Sequence, residues 1–180
     1  MDFRITKAYR KDKNEILRLI KSEIYPEFKL NKIKELVGNI SENFWFVIRN
    51  KKGKVKGAIC FSEYDTYENS VVYDIEFLAI DKIIRGKGFG RLLLLEGIKR
   101  INKKIAREKR NISIIFTQTD GENKNAIGFY SNVLGKLGKI QITEIKDAWL
   151  KTESGNRNIV FIFSKIDQKK LRSVLNTITL

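Results

Sequence analysis

The stretch Arg85-Gly86-Lys87-Gly88-Phe89-Gly90-Arg91 decides the fold. It stands between an apolar run, Tyr73 to Ile80, and an amphipathic one, Leu92 to Ile105. Three glycines at alternate positions let the backbone take positive φ and let another group come close to it, which suits neither helix nor strand. Placed directly ahead of a helix, such a turn gathers unpaired backbone N–H groups at the positive end of the helix dipole. Arg85, Lys87 and Arg91 add charge. The pattern predicts an anion site, for a phosphate above all.

Spacing sorts the phosphate-binding turns from one another. A P-loop needs Lys followed by Ser or Thr after its last glycine, where this chain has Arg91-Leu92. The dinucleotide fingerprint Gly-x-Gly-x-x-Gly is absent as well, because Arg91 and Leu93 stand where its third glycine would be. A second constellation follows downstream, Asn123-Lys124-Asn125-Ala126-Ile127-Gly128-Phe129-Tyr130. The two stretches together resemble the GCN5-related N-acetyltransferase (GNAT) superfamily. Arg85, Gly88 and Gly90 match its acyl-CoA signature Arg/Gln-x-x-Gly-x-Gly/Ala, and Asn123, Ala126, Ile127 and Tyr130 match its later motif in type and spacing. The Gly-Phe pair usual after that motif is missing, since Gly135-Lys136 arrives one residue late.

Working outward, 180 residues with 42% hydrophobic content and one proline predict a single folded domain with a substantial core. No run of about 18 apolar residues occurs, and Met1 to Lys7 lacks a signal-peptide core, so the expectation is a soluble, cytoplasmic protein. The single cysteine, Cys60, lies in an apolar run and reads as a buried small hydrophobe. The chain has no histidine, which removes every Ser-His and Cys-His arrangement and leaves acid–base work to carboxylates, Tyr, Lys or water. No metal site is expected. A net charge of +15 attracts polyanions, but the basic residues are spread along the chain and Lys, Ile and Asn are abundant together, as an AT-rich coding sequence would produce. Nucleic acid is not the expected partner.

In chain order, Arg4 to Ala8 reads as a strand, and Asp12 as the cap of a helix carrying Ile16, Leu17, Leu19, Ile20 and Ile24. A second helix is expected over Asn31 to Ile40. A hairpin of Phe44 to Arg49 and Val55 to Phe61 follows, then a polar loop from Glu63 to Ser70 and the strand that feeds the glycine turn. After the turn come a long helix, a strand over Asn111 to Phe116, a helix over Ala126 to Val133, a strand over Lys139 to Ile145 that Ala148-Trp149-Leu150 extends, and a strand over Asn158 to Ser164. This order is that of the acetyltransferase fold: α/β, with a mixed, twisted sheet of six to seven strands covered by about four helices. The resemblance implies an acetyltransferase domain over 1–166; beyond it, 167–180 carries Leu171, Val174, Leu175 and Ile178 at helical spacing and is expected to be an extra C-terminal helix that packs back or, in the second reading, contacts another copy in a homodimer.

The resemblance also implies roles. Backbone groups of Leu78 and Ile80 would pair with the pantetheine arm of acetyl-CoA, and the Leu78 N–H would polarise the thioester carbonyl. Arg85, Gly86, Lys87, Gly88, Phe89, Gly90 and Arg91 would hold the pyrophosphate, and Asn123 would open the helix beside the cofactor. Tyr130 would protonate the departing thiolate. Asp74 and Glu76 alternate in phase with Leu78 and so share its face of the strand. Either could take the proton of the acceptor amine, directly or through water.

The expected activity is acetyl transfer from acetyl-CoA to a primary amine in a ternary complex, with no metal. The alternative is a catalytically silent acyl-CoA-binding module that uses its positive surface to engage nucleic acid or a protein. Glu23, Tyr25, Glu27, Phe28, Tyr64, Trp149 and the Thr152 to Asn156 turn are expected to shape the acceptor site. Glu23 and Glu27 favour a cationic amine there, whereas the global charge favours an acidic molecule.

Overall fold

The computed structural model describes residues 3–23, 37–38, 40, 43–152 and 155–178, with 147–152 and 155–157 as backbone. Seven strands run β1 (Phe3–Lys7), β2 (Phe44–Asn50), β3 (Val55–Tyr67), β4 (Ser70–Ile80), β5 (Asn111–Asp120), β6 (Gly138–Thr152) and β7 (Gly155–Ile166). The α-helices among the described residues are α1 (Lys13–Glu23), α2 (Phe89–Arg107), α3 (Lys124–Gly135) and α4 (Gln168–Asn176). The strands form one sheet in the order β1-β2-β3-β4-β5-β7-β6. β4 and β5 are parallel, whereas β1 with β2, β2 with β3, β5 with β7 and β6 with β7 are antiparallel.

The chain divides into two compact units, Met1–Ser62 with Glu76–Lys104 and Ile178–Leu180, and Glu63–Ile75 with Ile105–Thr177. In the first, the α1 stripe of Ile16, Leu19 and Ile20 meets Trp45, Val47, Ala58, Cys60, Phe77 and Ala79, all buried. Each such aliphatic side chain stabilises the fold by roughly 2 kcal/mol on burial. Cys60 is a core residue, as its apolar surroundings predict. The predicted N-cap differs in detail. Asp12 ends a single 3-10 turn, Arg10–Asp12, and its carboxylate takes the Tyr9 N–H at 2.7 Å, ahead of α1. The helix predicted over Asn31 to Ile40 lies for the most part outside the described residues, as does Ile24.

α2 packs on β2 and β3 at unusually short range, and its mid-helix Gly97 is the reason. A Cβ there would stand 2.6 Å from Phe61 Cε2 and 3.2 Å from Phe46 Cδ2. Glycine costs helix propensity, yet only hydrogen fits between these rings.

In the second unit the polar loop predicted over Glu63 to Ser70 is strand on both sides of a two-residue turn, Glu68-Asn69, with Glu68 at φ 50°. Composition misled here because the outer part of β3 is exposed on both faces, so no apolar alternation marks it. β7 likewise extends past its predicted ends, and β6 runs on over Ala148-Trp149-Leu150 as expected. α4 is capped by Asp167, whose carboxylate accepts from the amides of Lys169 and Lys170. Its Leu171 and Leu175 are buried.

Candidate active site

The glycine turn belongs to the first unit, and Asp81 sets its course. The Asp81 carboxylate accepts from the Ile83 N–H at 2.9 Å and from Lys56 Nζ at 2.7 Å, and its carbonyl accepts from Ile84 at 2.9 Å and Arg85 at 3.1 Å. Burial opposes ionisation of Asp81, but Lys56 and the Ile83 amide outweigh it and hold the carboxyl below its ordinary range. Gly86 and Gly88 then take φ of 77° and 81°, conformations that L side chains rarely adopt. A Cβ at either would meet nothing within 4 Å, so the space beside the turn is open. α2 starts at once, with the Leu92 N–H donating to the Gly88 carbonyl at 3.0 Å. The amides of its first turn have no carbonyl within the helix to bond.

The side chains of the motif are placed less uniformly. Lys87 and Arg91 are exposed. Phe89 turns edge-on to Phe3 at 4.6 Å and anchors the helix start to β1, so this residue offers a ligand its backbone alone. Arg85 donates to Glu23 Oε2 and, at 3.1 Å, to the Ile80 carbonyl. Its guanidinium thus ties α1 to the end of β4, and Glu23 is engaged with a cation of its own chain. Leu78 is half-buried on the same strand, and Glu76 accepts from the Ser62 hydroxyl at 2.9 Å.

The second unit holds the other candidate groups. The parallel β4–β5 ladder runs from Ser70↔Asn111 to a last rung at Asp74↔Phe116. One residue on, the Ile75 carbonyl accepts from the Thr117 hydroxyl at 3.1 Å. Thr117 is also the hydrogen-bonding neighbour of the Tyr130 phenol, and Asp74 lies within electrostatic reach of it. Tyr130 itself is 8% exposed. Burial first, and then the charge of Asp74, push its pKa well above the ordinary tyrosine value, against a lowering effect of Thr117. The surroundings tune the phenol toward keeping its proton. Asn123 caps α3, accepting from the Ala126 N–H at 3.0 Å, which accounts for this residue type at this position without a ligand.

Thr117 and Asp81 were not singled out from sequence. Asp81 carries a weak signal, an Asp directly after a strand whose side chain can close a local turn two residues on. Thr117 carries none, since a threonine in a strand is ordinary. Of the residues expected to shape an acceptor site, Tyr64 is exposed and packs edge-on to Phe116 at 5.1 Å. Tyr25, Glu27, Phe28 and the Trp149 side chain lie outside the described residues, as does part of the Thr152 to Asn156 turn. Among the described residues no group of three or more Cys, Asp or Glu could hold a metal ion, and no helix is long and apolar enough to cross a membrane.

The chain is similar to known proteins in family and in fold. The model of the acetyltransferase (GNAT) family matches residues 11–135. Among solved structures, the ribosomal-protein-S18-alanine N-acetyltransferase of Escherichia coli is 14% identical at a TM-score of 0.68, over 93% of this chain and 96% of that one. A spermidine N-acetyltransferase chimera from Vibrio cholerae SpeG and hSSAT is 15% identical at 0.67, over 99% and 100%. The NatC complex bound to Gag peptide and CoA is 14% identical at 0.70, over 93% and 100%. No curated protein matches in sequence. These neighbours share the fold, and their names differ in the acceptor.

Proposed function

We propose that this chain, which belongs to the acetyltransferase (GNAT) family, transfers an acetyl group from acetyl-CoA directly to a primary amine held beside it in a ternary complex. The observation that carries the reading is the buried Tyr130 phenol with Asp74 in electrostatic reach, a potential acid and a potential base in one unit. The glycine turn suits the cofactor's pyrophosphate. Its two positive-φ glycines face open space that a side chain would fill, and the amides that follow open a helix.

Acetyl-CoA, when bound, supplies an acetyl group activated as a thioester. The residues of this chain do the remaining work. Amides of Gly86 to Arg91 hold phosphate, and the Leu78 N–H donates to the thioester carbonyl as charge grows on its oxygen. As the amine nitrogen bonds to the acetyl carbon, Asp74 receives the amine proton, through a water where its short side chain does not reach. Tyr130 gives its proton to the sulfur as the carbon–sulfur bond breaks. The two transfers help one another: once Asp74 is neutral, the charge that holds the Tyr130 proton in place is gone. Holding both reactants side by side supplies much of the rate.

A panel of amines assayed by release of CoA thiol tests the reading and identifies the acceptor. Acetyl-CoA-dependent thiol release with at least one polyamine, aminoglycoside, amino acid or peptide N-terminus is the expected result. Acetyl-CoA binding with no thiol release across the panel would favour the silent binding module instead.

A further inference from the structure

A cavity of about 430 Å³ opens in the first unit between β1, the start of α1 and the β2–β3 turn. Its volume falls in the range of small-molecule sites, roughly 300–1,000 Å³. Arg4 and Arg49 both line it, and they are direct cross-strand partners in the β1–β2 ladder. Like charges directly opposite on one sheet face are destabilising, because their Cβ atoms stand only about 5 Å apart. Lys11 lines the same cavity and adds a third cation.

The lining carboxylates are already committed to the protein. Asp12 Oδ2 accepts from the Tyr9 N–H at 2.7 Å and from Arg49 Nη2 at 2.6 Å, and Glu15 Oε2 accepts from the Val55 N–H at 2.7 Å. Arg49 has a side chain only 9% exposed. It donates from Nε to Thr6 Oγ1 and from Nη1 to the Gly53 carbonyl, both at 3.2 Å, besides the bond to Asp12. A guanidinium carries five N–H groups, so two of its donors, one on each Nη, remain for whatever enters the cavity. Arg4 and Lys11 have no carboxylate partner among the described residues. The β2–β3 ladder slips register between Ile48 and Arg49, a bulge of the kind that re-aims a side chain next to a site.

We propose that this cavity is an anion site separate from the glycine turn, and that it takes the phosphoryl group of a small phosphate monoester. The spare Arg49 donors, Arg4 and Lys11 would hold the phosphoryl oxygens. The ligand also removes the strain of the Arg4–Arg49 rung, because a dianion between the two guanidinium groups turns repulsion into a shared attraction. Thr6 and the outer carboxylate oxygens are placed for hydroxyl groups on the remainder of the ligand.

Titration calorimetry of the full chain with glycerol 3-phosphate tests this, using Arg4→Glu, Lys11→Glu and, for the glycine turn, Gly88→Glu. Arg4 and Lys11 are exposed, so these variants should keep the wild-type melting temperature. Affinity should fall about tenfold or more in each, the size expected for losing a hydrogen bond to a charged group. Gly88→Glu should leave it unchanged. Arg4→Gln, which removes charge without reversing it, should show an intermediate loss. The proposal is overturned by absence of binding in the wild type, by affinity indifferent to Arg4 and Lys11, or by loss in Gly88→Glu.

Discussion

The Thr117 hydroxyl donates to the Ile75 carbonyl at 3.1 Å, one residue past the last rung of the parallel β4–β5 ladder. A side chain thus bonds the carbonyl at the point where strand amides stop doing so. The same oxygen is the neighbour of the Tyr130 phenol, so the end of the ladder and the candidate acid are fixed by a single buried residue.

Thr117→Val tests that link. It leaves the Ile75 carbonyl buried without its donor, a cost of about 1–3 kcal/mol, and removes the contact that lowers the Tyr130 pKa. The melting temperature should drop and tyrosine ionisation should move further up. Thr117→Ser should restore both, and wild-type behaviour in the valine variant would show the hydroxyl to be dispensable.

Tyr130→Phe keeps the ring against Phe129, which lies edge-on at 5.1 Å, and deletes the hydroxyl alone. kcat should fall about 10²-fold, the low end of acid–base contributions, with acetyl-CoA affinity and melting temperature little changed. If kcat stays near wild type, the proton comes from water and the tyrosine is packing.

Alkaline titration should find two phenols that resist ionisation. Burial raises the pKa of Tyr73, with Glu63 as the next cause, and burial also raises that of Tyr130. A raised folded-state value means that, above about pH 10, the unfolded chain loses protons that the native one keeps. Stability from these groups is therefore intact below about pH 10 and declines as pH rises beyond it. Near-ultraviolet tyrosinate absorbance of the native protein just above pH 10 should fall short of that of the chain in denaturant, by the share of at least these two tyrosines. Equal absorbance would contradict the burial argument.

Gly88→Ala and Gly88→Glu should each cost about 1–2 kcal/mol, because the penalty lies in the φ of 81° and not in the open space around it. They should differ in acetyl-CoA affinity, with Glu far worse, since it sets a negative charge where phosphate is to lie. Calorimetry and thermal melts check both halves. Equal affinity of the glutamate variant and the wild type would remove the glycine turn from the cofactor site.

Gly97→Ala should destabilise even though alanine is the better helix former by about 1 kcal/mol. The new methyl would overlap the buried Phe61 ring at 2.6 Å, and overpacking of this kind costs about 1–3 kcal/mol. Phe61→Leu should offset part of the loss in the double variant, and an unchanged melting temperature in Gly97→Ala would show that α2 can shift to accommodate it.

The sequence by itself determined the family, the order of strands and helices, and the glycine turn ahead of α2. Those properties are local: alternate glycines, a cap three residues from its amide and an apolar stripe at helical spacing are written in neighbouring positions. Tertiary structure alone decided which charges face one another. That Arg85 meets Glu23, that Arg4 stands opposite Arg49, and that Thr117 joins Ile75 to Tyr130 all depend on strand register and helix placement between residues far apart in the chain. Asp74 and Glu76 show the division most plainly. Their period-two spacing puts them on one strand face, but only packing set Asp74 in reach of Tyr130 and gave Glu76 the Ser62 hydroxyl. Electrostatics is a through-space property, and no spacing rule along a single chain encodes it.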